Sequence, residues 1–121
     1  MTKVTKHSDL LVWQKSRVLV KSVYGITEGF PKSEQFSMVD QMRRAAISIP
    51  SNIAEGYGRS SNKEFKQFLN IARGSIAELQ TQLQLSLDLG FITKISYDRI
   101  EDQIIEIYKM LNSFINKINV N

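Results

Sequence analysis

The chain of 121 residues has no cysteine and a single histidine, His7. Without thiols there is no disulfide, no thiolate nucleophile and no zinc site built on sulfur, a pattern that fits a reducing compartment. One histidine excludes a His-based triad and any two-histidine metal motif, and the Glu-x-x-His pairs of carboxylate metal bundles are missing too. No nucleophile, base and orienting group can be assembled, so the sequence reads as non-enzymatic, with no cofactor and no metal. Apolar runs are only a few residues long, far below the roughly 20 that span a bilayer. The N-terminal MTKVTKHSDLLVWQKSR is interrupted by Lys15 and Arg17 and does not read as a signal peptide. The chain is therefore expected to be cytoplasmic, with no membrane partner.

Proline and glycine are scarce as well, at 2 and 6 residues, and the balance favours helices joined by short loops. The length suits one domain over 1–121. Four apolar stripes recur at three- and four-residue steps, and no period-two run is long enough for a strand. The first predicted helix covers about 9–27, with Ser8 or Asp9 as N-cap and Val12, Trp13, Ser16, Leu19, Val20, Val23, Ile26 and Thr27 on one face. Gly29 and Pro31 then break the chain, and Ser33, Glu34 and Gln35 restart a second helix over about 34–57. The third, about 62–89, opens on the capping-box pattern Ser61-Asn62-Lys63-Glu64. The fourth, about 96–118, carries Tyr97, Ile100, Ile104, Ile107, Leu111, Phe114 and Ile118 like a bundle seam. An all-α, antiparallel up-down four-helix bundle follows. Ile71, Leu85 and Leu89 on helix three, and Ile105, Tyr108 and Ile115 on helix four, widen the apolar faces and point to self-association.

The segment RRAAISIPSNIAEGYGR, residues 43–59, sets a proline and two glycines inside a helical pattern. Val39, Met42, Ala46, Ile49, Ile53 and Tyr57 keep one apolar phase across Pro50, which predicts one helix bent at Pro50. Gly56 or Gly58 should then stop it in a left-handed conformation. A phosphate loop is excluded, because neither the lysine and hydroxyl of the nucleotide-binding loop nor a preceding strand with a third glycine is present. Gly74, inside helix three, predicts close approach by a neighbouring helix, since glycine there costs roughly 1 kcal/mol relative to Ala.

The formal net charge is +4, and residues 1–32 account for all of it, with six cations against Asp9 and Glu28. Arg17 and Lys21 of helix one, with Arg43, Arg44 and Arg59, are the candidates for phosphate contact, because a lysine ammonium attracts phosphate and guanidinium forks match its oxygens. The structural alternative is a solvated polar face in which Arg43 pairs with a carboxylate such as Glu78. Trp13 and Tyr24 read as packing aromatics before base-stacking ones.

The stretches VWQKSR (12–17), QMRRAAISIPSNIAEGYGR (41–59) and FLNIARGSIAELQTQL (68–83) resemble the four-helix-bundle proteins encoded within 23S rRNA intervening sequences, and the resemblance covers about 8–118. It matches Trp13, Arg43, Arg44, Pro50, Asn52, Glu55, Gly56, Gly58, Arg59, Phe65, Gly74, Ser75 and Glu78, most of them architectural. The resemblance implies an up-down bundle assembled into a closed homopentamer. It also implies kinship with the accessory variability determinant of diversity-generating retroelements, a more basic pentamer that works with a reverse transcriptase and nucleic acid. The expected partners are other copies of the chain and RNA or DNA. The alternative is a protein-interaction adaptor ring with a protein partner and no direct nucleic-acid binding.

Overall fold

The apolar stripes build four α-helices in a computed structural model that describes residues 6–120: α1 (Leu11–Thr27), α2 (Asp40–Tyr57), α3 (Asn62–Asp88) and α4 (Lys94–Lys117). Among the described residues there is no strand. Each helix packs on the next and α4 closes back on α1, with the most extensive contact between α2 and α3. The connections after α1 and α3 meet at one end, where the Phe30 and Phe91 rings lie 5.5 Å apart. At the other end, Asn62 Nδ2 donates to the Asn119 carbonyl at 3.2 Å. This is the up-down bundle expected from the sequence. Its core is continuous from Leu19 and Val23 through Met42, Ile49 and Ile53 to Leu69, Ile76, Leu79 and Leu83, and then Ile104 and Leu111, all of them inaccessible to solvent. Ile115, expected on a second apolar face, is buried in this core at 4% exposure.

Helix ends show where local signals win and where packing overrides them. Ser61 Oγ accepts from the Glu64 N–H at 3.1 Å, so the cap of α3 is as read. Thr93 Oγ1 does the same for the Ser96 N–H at 3.1 Å and starts α4 at Lys94, two residues earlier than the apolar pattern indicated. Ser8 and Asp9 do not cap α1. They belong to a tight turn, His7–Asp9, and the helix begins after Leu10, whose side chain is buried and offers no capping acceptor. Helix two is also less regular than expected. Lys32–Glu34 forms a 3-10 turn and Gln35–Val39 a wide π-type turn before regular α-helix starts at Asp40. The wide turn seats Val39 in the core and swings Phe36 out to 90% exposure.

Pro50 lies inside α2, and the helix runs through it unbroken. The proline removes the donor that the Ala46 carbonyl would normally receive. A hydrogen-bond chain braces the same region against α3. Asn52 Nδ2 donates to the Ser48 carbonyl at 2.8 Å and to Ser48 Oγ at 2.9 Å, and the Ser48 and Ser75 hydroxyls are 2.8 Å apart. Ser75 Oγ also lies 3.2 Å from the Ile71 carbonyl, a second acceptor for its proton. Ser48 and Asn52 are thus partly buried, tying α2 to α3.

The glycines are used differently from the sequence reading. Neither Gly56 nor Gly58 is left-handed, and Gly58 has φ −79°. Among the described residues the left-handed one is Gly90, at φ 77°, where α3 stops with Phe91 N–H donating to the Ser86 carbonyl at 2.8 Å and Gly90 N–H to the Leu87 carbonyl at 3.0 Å. Gly56 is required for contact instead. A Cβ there would stand 2.7 Å from Phe68 Cβ and 2.9 Å from Phe65 Cδ1. Gly74 does not admit a neighbouring helix of the same chain, because a Cβ at that position would meet nothing within 4 Å. Gly56→Ala should therefore destabilise the bundle by about 1–3 kcal/mol through overpacking. Gly58→Ala, whose Cβ meets only ordinary contacts, should stay within about 1 kcal/mol of wild type in the same urea titration.

Candidate nucleic-acid interface

Helix α1 has three cations, Lys15, Arg17 and Lys21, and no Asp or Glu along its length. Lys15 turns toward α4 and pairs with Glu106 at 3.0 Å. Arg17 and Lys21, one helical turn apart, are exposed and make no ion pair among the described residues. They carry the uncompensated charge of this side of the bundle.

Arg43 has a different task. Its Nε donates to Thr27 Oγ1 at 3.0 Å, its Nη2 reaches the Tyr24 carbonyl at 3.4 Å, and its guanidinium lies 4.3 Å from the centre of the Tyr24 ring. Thr27 Oγ1 in turn donates to the Val23 carbonyl at 2.7 Å. The cation thus sits on the last turn of α1, where the helix dipole is negative. The pairing with Glu78 proposed from the sequence does not form. Glu78 is exposed on α3, whereas Arg43 is turned toward α1.

Arg44 and Arg59 are exposed and paired within their own helical neighbourhood, Arg44 with Asp40 at 3.1 Å and Arg59 with Glu55 at 2.7 Å. The Arg59 guanidinium also lies over the Phe68 ring at 4.8 Å. Exposed pairs of this kind contribute roughly 0–1 kcal/mol, so a phosphate can replace the carboxylate at little cost. Arg43 and Arg44 stand at the start of α2 and Arg59 just past its end, a separation of about 20 Å at the helical rise. The five candidate cations therefore form no single cluster. They are spread along the α1–α2 side, with Arg59 at the turn into α3.

Between α1 and α2 lies a groove of about 360 Å³, lined by His7, Trp13, Arg17 and Val20 on one side and Ile47, Pro50, Ser51 and Ala54 on the other. Trp13 is only half-buried, with the His7 ring edge-on to it at 5.1 Å. Tyr24 is exposed at 38%. Both aromatics were read as packing residues, and both retain open surface. The groove itself was not legible in the sequence, although Val20 and Ile47 at the margins of their stripes were the available signal. Among the described residues, no group of three or more His, Cys, Asp or Glu side chains could hold a metal ion, and no helix is long and apolar enough to cross a membrane.

If Arg43 closes the end of α1, Arg43→Ala should lower stability by about 1–2 kcal/mol. Arg44→Ala should change it by less than about 0.5 kcal/mol, with chemical denaturation distinguishing the two.

The fold and its motifs agree with known proteins. A solved structure of a protein of unknown function from the S23 ribosomal protein family of Bacteroides thetaiotaomicron superposes with a TM-score of 0.79 at 30% identity, covering 87% of this chain and 98% of that one. No curated protein matches the chain. A family model described as 23S rRNA-intervening sequence protein matches residues 8–113, which takes in the half-open Trp13, the α2 arginines, Pro50 and the Gly56 contact. The chain belongs to the 23S rRNA-intervening sequence protein family.

Proposed function

We propose that this protein is a non-enzymatic, cytoplasmic, homo-oligomeric bundle, pentameric as the family resemblance implies, that binds RNA or a nucleoprotein through Lys and Arg contacts to the phosphate backbone. The observation that carries the reading is the one-sided charge of α1, where Arg17 and Lys21 are exposed without a carboxylate partner among the described residues. Arg44 and Arg59 extend the basic surface through pairs that phosphate can displace. The family name, which ties these proteins to an rRNA gene context, supports the same direction.

Self-association is supported on another side of the molecule. Ile71, Leu85 and Leu89 on α3 are exposed at 51%, 44% and 60%, and Ile105 and Tyr108 on α4 at 38% and 41%. Gly74 lies in the same stretch of α3 with open space over it, so a helix of another copy can approach the backbone there. A ring of such subunits multiplies the charge of one chain and concentrates it on a closed surface. The same apolar surface supports the alternative of an adaptor ring that holds a protein partner. A partner that survives nuclease treatment of the lysate would favour the adaptor, and one that disappears would favour nucleic acid.

Filter retention of RNA should fall steeply with salt, with a log–log slope of about −3 if four cations each neutralise one single-strand phosphate. Arg44→Ala and Arg59→Ala should each flatten that slope by about 0.7 without loss of helicity. Absence of retention at low salt, or a flat salt dependence, would overturn the nucleic-acid reading. In sedimentation, Gly74→Leu and Ile71→Glu should shift the protein toward monomer while its helical content stays constant. A wild-type protein that is monomeric at micromolar concentration would remove the oligomer from the proposal.

A further inference from the structure

We infer that the groove between α1 and α2 receives an unstacked nucleobase, laid against Trp13 with its flanking phosphate on Arg17, so that the protein favours single-stranded RNA over duplex. This inference rests on the nucleic-acid reading above and assigns it a specific site.

Five observations converge on the groove. Its volume of about 360 Å³ falls within the roughly 300–1,000 Å³ range of small-molecule sites, whereas a benzene-sized ring needs only about 150 Å³. Its walls are largely apolar, from Trp13, Val20, Ile47, Pro50 and Ala54, and the half-open indole supplies a planar π surface. The His7 ring meets the indole edge-to-face, with planes at 65° and centroids 5.1 Å apart, and so forms the part of the lining next to Trp13. Arg17 is the charged residue of the lining, which contains no carboxylate. The hydroxyl of Ser51 is exposed and makes no hydrogen bond within the described residues, which leaves a donor and acceptor for a base edge.

These features select a planar group carrying a negative charge at one edge. An aliphatic anion could pair with Arg17 but would not stack on the indole. A duplex buries its bases in the stack, so it can meet this face only through its phosphates. Base stacking on an aromatic side chain tolerates any base, and one hydroxyl reads little sequence, so the groove distinguishes strandedness more than sequence. The sequence FPKSEQF lies outside this lining, whereas His7 of the turn before α1 belongs to it, and Pro50, which costs α2 a backbone donor, lies in the wall.

Trp13 is the single tryptophan of the chain, so its emission reports directly on the groove. A ten-nucleotide single-stranded RNA, titrated at low salt into the full-length protein, should quench that emission. A blunt duplex of the same sequence should be retained on a filter yet leave the emission unchanged. Arg17→Ala should weaken the single-strand quench about tenfold, since it removes a charge-assisted contact. Ser51→Tyr fills the groove from an exposed position without altering charge, and it should abolish the quench while duplex retention persists. Single-stranded RNA that is retained without any change in Trp13 emission overturns this inference and leaves backbone binding intact. Loss of retention for both forms overturns both. An equal quench by a polyglutamate peptide also overturns the inference, because charge alone would then account for the signal.

Discussion

The approach of α2 to α3 is the constraint on which the rest of the bundle depends. At Gly56 the absence of a side chain lets the backbone of α2 come against Phe65 and Phe68, closer than a Cβ would allow. That contact seats Phe65 between Tyr57 at 5.8 Å and Phe114 at 5.4 Å, which carries the packing from α2 across α3 to α4. Near the middle of α2, the Asn52–Ser48–Ser75 chain holds the same pair of helices together where Pro50 weakens the helical ladder. An apolar core alone would tolerate sliding of one helix on another. A glycine contact and a directed hydrogen-bond chain fix their registration.

The polar surface has its own division of labour. Arg43 lies among the candidate cations in sequence but serves the end of α1, with its fork shared between a carbonyl, a hydroxyl and an aromatic ring. Arg44, next in the chain, points about 100° away and is exposed. Adjacent arginines in a motif can thus be matched together for different reasons, one for the fold and the other for the surface. The same distinction applies to the glycines: Gly56 is needed for an internal contact and Gly74 lies over open space.

Much of the architecture was readable before the structure, because three- and four-residue apolar spacing depends only on helical geometry. The stripes of Met42, Ala46, Ile49 and Ile53, and of Ile100, Ile104, Ile107 and Leu111, are buried as the pattern required. What local signals missed was set by neighbours. Asp9 is a good capping residue, yet burial of Leu10 fixed where α1 begins. Gly56 and Gly58 resemble a helix stop, but the requirement for a small residue came from Phe65 and Phe68, which are remote in that pattern. Arg43 needed the fold to bring Tyr24 and Thr27 beside it. The groove was hidden for the same reason, since its two walls come from helices whose relative rotation no periodicity specifies.

The wide turn at Gln35–Val39 has a consequence for how such a chain can vary in length. A π-type turn holds one residue more than the α-helical turn it replaces, and the phase of α2 downstream is nonetheless matched to the core. Loss of one residue within this turn would convert it to ordinary helix, while the faces of Asp40–Tyr57 keep their orientation. The entrance to α2 is therefore an elastic joint, where a change of one residue in length need not rotate the arginines, the proline or the glycine contact that follow.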